Sequence, residues 1–431
     1  MKFCGHFQWK LCHMMLLIFC TVHVNQAQDN GVNGTKGFIK VDGLMFMLDE
    51  DPYYANGFNA YWLMTVASDL SQRSKVTSSF ELAKQFGLTL ARTWAFSDGP
   101  SPYSLQTSPG QYNENVFQGL DFVVAEASKY GIRLVMSLVN NYNDYGGRKQ
   151  YVDWARSRGV NISSEDDFYS NEVVKQFYKN HIKTALTRVN NITGVAYKDD
   201  PTIMSWELIN EPRCSSDLSG KTLQSWIAEM SSYLKSIDSN HLLEIGLEGF
   251  YGPSTPEKLH DAPNFQIGTD FIANNLINEI DFATIHSYPD QWIPGSTDEE
   301  QLTFLKDWMK NHTEDADTIF KKPLVIAEFG KSWKSPGFTT EKRDQVYNLV
   351  YSAIYLSATS EGAAVGSMFW QLLAPGMDNF RDGYDVVLSE SPSTAGLIVQ
   401  QSQKLSNIRR KYRLARRHIE WQKRVKGGRR G

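Results

Sequence analysis

The strongest constraint on the fold is an eightfold alternation of short apolar runs with segments of helical periodicity. Strands that are separated by helices pair in parallel, and parallel strands covered on both faces read as nearly continuous apolar runs. Eight such units in one chain predict an α/β protein built on a single (β/α)8 TIM barrel. The strands are predicted at 57–62, 88–94, 132–139, a segment ending at Glu211, 242–247, 281–286, 323–328 and 366–370.

Two segments depart from this alternation. Residues 38–48 alternate loosely, which predicts a small hairpin that covers the bottom of the barrel. Residues 140–167 form a long polar stretch, and connections of that length are usually functional or disordered. Aromatic residues within it favour a binding loop: Tyr142, Tyr145, Tyr151 and Trp154. The helices are predicted at 76–86, 121–129, 172–189, 224–236, 297–311 and 340–360.

The first 27 residues have the features of a secretory signal peptide. Lys2 and Lys10 supply positive charge, and the apolar stretch 11–24 is too short to cross a bilayer. We therefore expect a secreted protein that begins near Gln28 and has no membrane association once the signal is removed; a retained anchor is the alternative. Four Asn-x-Ser/Thr sites suit a secretory route. They are Asn33, Asn161, Asn191 and Asn311.

The two ends of the chain differ in their cysteines and charge. Three of the four cysteines lie in the signal peptide, so Cys214 would remain alone and is expected to be a passive core residue. Residues 404–431 hold twelve Lys or Arg and one Glu, a charge of +11, so the net −4 leaves −15 on the rest of the chain. This basic tail is either a solvated helix packed on the barrel or a surface for anionic polymers. We do not expect nucleic acid as a partner.

Two glutamates end two different predicted strands. Glu211 closes the fourth strand and Glu328 the seventh, 117 positions later (328 minus 211). In such a barrel the carboxyl ends of the strands meet at one rim, where catalytic groups lie. Cleavage of a glycosidic bond needs this kind of pair, because one carboxylic acid protonates the leaving oxygen while the other group acts as nucleophile or base.

Other predicted strand ends carry groups that suit the same reaction. Arg92 can hold Glu328 ionised, since an adjacent cation lowers the pKa of a carboxylate. His286 and Tyr288 can hydrogen-bond the carboxylates and steer their protonation. Because His286 has no partner at ligand spacing, no zinc site is expected.

Three further residues suit the binding of sugar. Asn210 can donate to a sugar 2-hydroxyl, and Trp94 and Trp370 can stack on the apolar faces of sugar rings. Each of these residues alone is more often structural. Their joint occurrence at predicted strand ends favours a functional site.

Four motifs together resemble glycoside hydrolase family 5, most closely its plant endo-β-1,4-mannanases. The motifs are LINEP at 208–212, AEFG at 327–330, HSY at 286–288 and ARTWAF at 91–96. The resemblance extends over about residues 35–405. It implies a retaining enzyme without cofactor or metal, with Glu211 as acid/base and Glu328 as nucleophile. It also implies substrate contacts and supporting groups at Trp94, Asn210, Tyr288, Trp370, Arg92 and His286.

We therefore expect a monomeric, secreted endo-β-mannanase that cleaves internal β-1,4 bonds of mannan, glucomannan and galactomannan in the cell wall. Transfer to another sugar would compete with hydrolysis. The expected organisation is a signal peptide at 1–27, a hydrolase barrel at 28–403 and a basic tail at 404–431. Two alternatives stay open: a β-1,4-glucanase with the same carboxylates, and a polysaccharide-binding protein on an inactive barrel.

Overall fold

Eight parallel strands form the central sheet of the computed structural model, which describes residues 37–259 and 266–427. The first to fifth strands pair in chain order, as do the sixth to eighth, and the first also pairs with the eighth. The first to eighth barrel strands are Ala55–Asn59, Leu90–Trp94, Arg133–Ser137, Ile203–Glu207, Leu242–Glu244, Ala283–Ser287, Leu324–Phe329 and Ala364–Phe369. The predicted signal peptide and Asn33 lie outside the described residues.

The ring closes between the fifth and sixth strands through backbone hydrogen bonds rather than a strand ladder. The amide of Asp281 donates to the carbonyl of Leu243 at 2.8 Å, and the amide of His286 donates to that of Glu248 at 2.9 Å. These contacts complete the cylinder, and the predicted (β/α)8 barrel is confirmed. The carboxyl ends of all eight strands therefore share one rim.

Helices cover the outside of the barrel, and most extend beyond their predicted bounds because polar caps set their ends. The helix at Glu114–Tyr130 begins after Asn113, whose side chain accepts from the Asn115 amide, and ends at Gly131 with a φ of 72°. The helices are Leu63–Ser68, Arg73–Gln85, Glu114–Tyr130, Gly147–Ser157, Asp167–Ser170, Glu172–Thr187, Lys221–Ile237, Phe271–Asn275, Pro289–Trp292, Asp298–Asp315, Thr340–Thr359 and Pro392–Gly427. Among the described residues, no helix combines the length and apolar character that a membrane span requires.

The predicted binding loop at 140–167 is wrong in part, because Gly147–Ser157 is helical. Tyr151 and Trp154 are one helical turn apart, face the same way and are buried with their ring centroids 5.2 Å apart. They belong to the core rather than to a sugar-binding surface. Of the four aromatic residues predicted for the loop, Tyr142 and Tyr145 line the cleft at the rim.

A small antiparallel sheet lies at the amino ends of the barrel strands. Its three strands are Lys40–Asp42, Met45–Leu48 and Asp51–Tyr53, and the last leads directly into the first barrel strand. Phe46 packs edge-on against Phe282 at 5.2 Å, just before the sixth barrel strand. The predicted bottom hairpin is therefore confirmed and carries a third strand. A separate short hairpin pairs Gln106–Ser108 with Gln111–Tyr112.

The helix at Pro392–Gly427 is continuous over 36 residues, so position 404 falls inside a helix rather than at its start. Its first half buries Ile398 and Leu405 against the body of the protein. The side chain of Asn56, in the first barrel strand, donates to Ser402 at 2.8 Å. The second half reaches the small antiparallel sheet through arginine side chains.

Candidate active site

Polar and aromatic side chains from the carboxyl ends of the barrel strands line one cleft of about 560 Å³. Six of the eight sequence-predicted site residues line it directly. Arg92 and His286 are buried and hold the two glutamates from below. The six lining residues are Trp94, Asn210, Glu211, Tyr288, Glu328 and Trp370.

Glu328 is held by a donor on each carboxylate oxygen. It lies in the seventh barrel strand and is 4% exposed. Oε1 accepts from Nη1 of Arg92 at 2.6 Å, and Oε2 accepts from the Tyr288 hydroxyl at 2.7 Å. With both oxygens bound, the carboxylate has one orientation in the cleft.

Glu211 lies beyond the fourth strand, not at its end as predicted. The strand stops at Glu207, and the chain then bends until Glu211 has a φ of 50°. This left-handed conformation is uncommon outside glycine and costs on the order of 1–3 kcal/mol. It is stabilised by the backbone bond from the Glu211 amide to the Gly246 carbonyl, 2.9 Å. The bend directs the side chain toward His286, whose Nδ1 lies 2.6 Å from Oε1 of Glu211.

Glu211, His286 and Glu328 form one compact cluster. One carboxylate oxygen from each glutamate and a ring nitrogen of His286 all lie within 4.8 Å of one another. Two oxygens and a nitrogen could in principle ligate a metal. Here, however, the Glu328 oxygens already accept from Arg92 and Tyr288, and the Arg92 guanidinium already supplies a positive charge beside Glu328. The arrangement suits proton transfer better than metal binding.

The charges around the cluster shift its protonation. Burial raises the pKa of Glu211, but the hydrogen bond and charge of His286 outweigh it, so this pKa lies below its ordinary value. Burial lowers the pKa of His286, yet the charges of Glu328 and Glu211 bring it above its ordinary value. Burial also raises the pKa of Glu328; His286 and Arg92 oppose this, Glu211 adds to it, and the net shift is upward. Arg92 lies beside Glu328 and lowers its pKa as predicted, but burial and the charge of Glu211 outweigh the cation, so Arg92 does not by itself keep Glu328 ionised.

Arg92 also extends downward from the cleft. Its Nε and Nη2 donate to the two oxygens of buried Glu207 at 2.5 and 2.8 Å. Nη2 also reaches Oδ1 of Asn210 at 2.7 Å, and Nη1 reaches Oδ1 of Asn59 at 3.0 Å. The Arg92 guanidinium therefore holds Glu328 and Asn210 in place and is itself anchored by the Glu207 carboxylate beneath it. Sequence reasoning missed Glu207 and Asn59, although a glutamate inside an apolar strand was a usable signal.

Glu244 lies beside Glu207 as its register partner on the fifth barrel strand, and both are fully buried. Two donors, the Gly246 amide and the Thr284 hydroxyl, bind Oε2 of Glu244 at 2.5 and 3.1 Å. Burial and the charge of Glu207 raise the pKa of Glu244 well above its ordinary value. This shift favours the neutral form of Glu244, which can donate its proton to the neighbouring Glu207 carboxylate and leave the pair with one negative charge opposite Arg92.

A second ion pair, also unforeseen, lines the cleft beside Glu211. Arg213 donates through Nε and Nη2 to Glu248 at 3.0 and 2.6 Å, and its guanidinium lies 5.7 Å from the Tyr142 ring. Burial and the charge of Glu211 raise the pKa of Glu248 to about 8. This pair adds fixed polar groups to the wall of the cleft.

Aromatic rings form the opposite wall. Tyr61 stacks on Trp370 with centroids 5.6 Å apart and ring planes 12° apart, and Trp94 lies 6.3 Å from Trp370. The indole of Trp370 donates to Asp382 at 2.5 Å, which fixes its plane. Flat rings held at the rim beside two carboxyls suit the binding of pyranose rings.

Comparison with known proteins agrees with this geometry. A family model described as GH family 5 beta-mannosidase-like matches residues 36–377. Mannan endo-1,4-beta-mannosidase 1 of Oryza sativa subsp. japonica is 56% identical over 407 residues, 93% of this chain and 94% of that protein. Mannan endo-1,4-beta-mannosidase 7 of Arabidopsis thaliana is 59% identical over 374 residues, 87% of this chain and 86% of that protein.

Solved structures are similar as well. The endo-beta-1,4-mannanase from Thermotoga petrophila is 32% identical with a TM-score of 0.69, over 82% of this chain and 77% of its own. The endo-1,4-beta-mannanase from Rhizomucor miehei is 30% identical with a TM-score of 0.72, over 86% of this chain and 100% of its own.

Proposed function

This chain belongs to the β-mannosidase-like group of glycoside hydrolase family 5, and we propose that it cleaves internal β-1,4 bonds of mannan, glucomannan and galactomannan with retention at the anomeric carbon. Its activity is that of a mannan endo-1,4-β-mannosidase. The observation that carries the mechanism is the short separation of Glu211 and Glu328 at the floor of the aromatic cleft.

The separation of the two carboxyls favours retention over inversion. Retaining enzymes place them about 5–5.5 Å apart, whereas inverting enzymes leave roughly 6.5–9.5 Å for a water molecule. Here an oxygen of Glu211 lies within 4.8 Å of an oxygen of Glu328. This short spacing is closer to the retaining range and supports a mechanism in which one of the carboxyls itself attacks the sugar.

In the first step Glu328 attacks the anomeric carbon as Glu211 protonates the departing glycosidic oxygen. The bond from carbon to the leaving oxygen breaks, and an ester bond to Glu328 forms. Arg92 and Tyr288 hold the attacking carboxylate in place, which lowers the entropic cost of reaching the transition state.

The proton for this step is held jointly by Glu211 and His286. The pair has two states with the same number of protons: a protonated imidazole beside a carboxylate, and a neutral imidazole beside a carboxylic acid. The depressed pKa of Glu211 and the raised pKa of His286 favour the first form in the free protein. When a sugar oxygen enters and needs a proton, His286 returns it across the 2.6 Å contact.

In the second step Glu211 accepts a proton from an incoming water, and that water displaces Glu328 from the anomeric carbon. A hydroxyl of another sugar chain can take the place of water, which gives transglycosylation from the same intermediate. The aromatic wall of Tyr61, Trp94 and Trp370 would hold the mannosyl chain during both steps.

The proposed site of action is outside the cell, in the cell wall. Its support is the sequence of residues 1–27, with two lysines before an apolar stretch too short to span a bilayer. Expression in a eukaryotic host tests it: mature protein in the medium that begins near Gln28 supports secretion, and retention in the cell with an intact amino terminus contradicts it.

Two measurements test the substrate and the mechanism. The first compares reducing-sugar release from glucomannan, galactomannan, carboxymethyl-cellulose and xylan, with viscosity as the measure of internal cleavage. Activity on the two mannans supports the proposed range, and activity chiefly on carboxymethyl-cellulose favours the β-1,4-glucanase alternative. The second follows the product anomer by NMR during hydrolysis of a mannooligosaccharide, where initial β product supports retention and initial α product contradicts it.

A further inference from the structure

The C-terminal helix is anchored to the barrel through one of its faces. Arg413 Nε lies 2.7 Å from Oδ2 of Asp51, and Arg416 Nη1 lies 2.8 Å from Oε2 of Glu50. Arg409 approaches the same Asp51 at 3.9 Å. These arginines are four and three positions apart, so they share a face of the helix. The helix is therefore held at the amino ends of the barrel strands, opposite the catalytic cleft.

The sides of this helix away from the anchoring face carry cations that form no ion pair with a described carboxylate. Arg410, Lys411 and Arg417 are exposed, and among the residues whose side chains are described none has a carboxylate within 4 Å. The acidic body could have neutralised them, since the chain outside 404–431 carries −15. Instead, Glu50 and Asp51 pair with the arginines of the anchoring face.

A large aromatic ring lies among these cations. Trp421 is 60% exposed and lies four positions beyond Arg417, so the two share one side of the helix. Leu414, 59% exposed, is on that side as well. The Trp421 ring lies against His418, with ring centroids 6.0 Å apart. A guanidinium and an exposed indole on one side of a helix present a fork for a carboxylate and a flat apolar surface for a sugar ring.

The exposed apolar residues do not form the single apolar face that a membrane-surface helix requires. Leu414 and Trp421 are seven positions apart and lie on one side. Tyr412 and Ile419, also seven apart, lie on another side, so that cationic and apolar positions alternate around the helix. This distribution favours an extended anionic chain over a lipid surface.

We propose that the outer face of the helix, formed by Arg410, Lys411, Arg417 and Trp421, binds an anionic polysaccharide that carries sugar carboxylates. The guanidinium groups pair with the carboxylates, and Trp421 stacks on a sugar ring. The negative charge of the barrel repels such a polymer elsewhere, which confines its contact to this helix. Because the helix lies opposite the cleft, the bound polymer leaves the catalytic groups free. The protein would in this way stay attached to an acidic polysaccharide matrix while it acts on a neutral one.

The test measures binding of the mature full-length protein to polygalacturonate across a series of salt concentrations. The variant R410Q/K411Q/R417Q removes three positive charges from the outer face. The matched control, K183Q/K221Q/K306Q, removes three charges from exposed lysines elsewhere on the barrel. We expect the outer-face variant to bind about tenfold more weakly or worse, and the control to bind as the native protein does. Binding by the native protein should weaken as salt rises, because salt screens exposed charges.

Further measurements separate this inference from its competitors. W421A should weaken binding to polygalacturonate more than binding to dextran sulfate, if stacking adds to charge pairing. Equal losses in the outer-face variant and the control, or tighter binding to phosphatidylserine–phosphatidylcholine vesicles than to polygalacturonate, would overturn the proposal. Hydrolysis of mannohexaose, measured on the same samples, should be unchanged in every variant. A loss there would report damage to the catalytic fold and not a failure of the polyanion surface.

Discussion

His286 and Glu211 are joined by a contact of 2.6 Å between Nδ1 and Oε1, and the imidazole is fully buried. The same Nδ1 lies 3.7 Å from Oε1 of Glu328, so one imidazole adjoins both carboxyls. A buried imidazole in this position links the protonation of the two glutamates, and the pH dependence of the reaction becomes a property of all three groups.

Removal of either carboxylate should separate the two catalytic roles. Glu328→Ala should lower kcat by at least about 10³-fold, since no nucleophile remains. Glu211→Ala should be similarly slow on mannan, yet azide should restore part of its activity on an aryl mannoside whose leaving group needs no proton. Product analysis for the β-mannosyl azide checks the rescue.

The control for this pair is Glu299→Ala, at an exposed position of an outer helix. It should leave turnover unchanged. A β-mannosyl azide product from Glu328→Ala, together with an α-mannosyl azide product from Glu211→Ala, would reverse the two roles.

Tyr288→Phe should slow the reaction and shift the acidic limb of its pH–rate profile to higher pH. The substitution removes the hydroxyl that donates to Oε2 of Glu328 at 2.7 Å. A hydrogen bond to a charged group contributes about 1.5–3 kcal/mol, which corresponds to roughly 10–150-fold in kcat if it is retained in the transition state. Because the lost bond stabilises the carboxylate, the pKa of Glu328 should rise further. As the solution is acidified, activity should therefore begin to fall at a higher pH than in the native protein. A pH profile of kcat/KM measures this, and an unchanged acid limb would contradict it.

Glu207→Gln should shift the same limb in the opposite direction. Without its anionic partner, Arg92 presents an uncompensated charge to Glu328 and lowers the pKa of that carboxyl. We therefore expect lower kcat, from loosened positioning of Arg92, together with an acid limb displaced to lower pH. Glu244→Gln keeps the neutral state inferred for Glu244, so its pH profile should match that of the native protein.

Thermal unfolding of both variants controls for damage to the fold. If Glu244→Gln displaced the profile as Glu207→Gln does, Glu244 would have to be ionised, and the single-charge description of the pair would be wrong.

His181 should make the fold sensitive to acid. It is fully buried, and burial lowers its pKa to about 4 from 6.5. The unfolded chain therefore binds a proton that the folded protein does not, and stability is lost as the pH falls from 6.5 toward 4. A shift of this size corresponds to about 3 kcal/mol. Urea unfolding at pH 7 and pH 4.5 should show a smaller loss for His181→Gln than for the native protein. Equal losses of unfolding free energy in the two proteins would show that groups other than His181 cause the acid sensitivity.

Local patterns in the sequence sufficed to predict the barrel and the proximity of the eight candidate site residues. Strand and helix periods can be read from the spacing of apolar side chains, and a TIM barrel brings the carboxyl ends of its strands to one rim. Motifs at four strand ends therefore predicted that Glu211, Glu328 and their neighbours would lie close together, and the structure brings them to one cleft. The helix at Gly147–Ser157 was missed because polar and glycine residues interrupt its pattern and its aromatic residues suggested a surface loop.

Only the tertiary structure decided how these residues are held. The pairing of Glu207 with Glu244 depends on the register between two strands, and the bend that turns Glu211 toward His286 depends on a backbone bond to Gly246. Contacts of this kind join residues tens to hundreds of positions apart, and side-chain spacing along the chain does not encode them. The pKa of Glu328 shows the consequence: the sequence determined that a cation would lie beside it, but burial and a second carboxylate, both products of the fold, determined the direction of the shift.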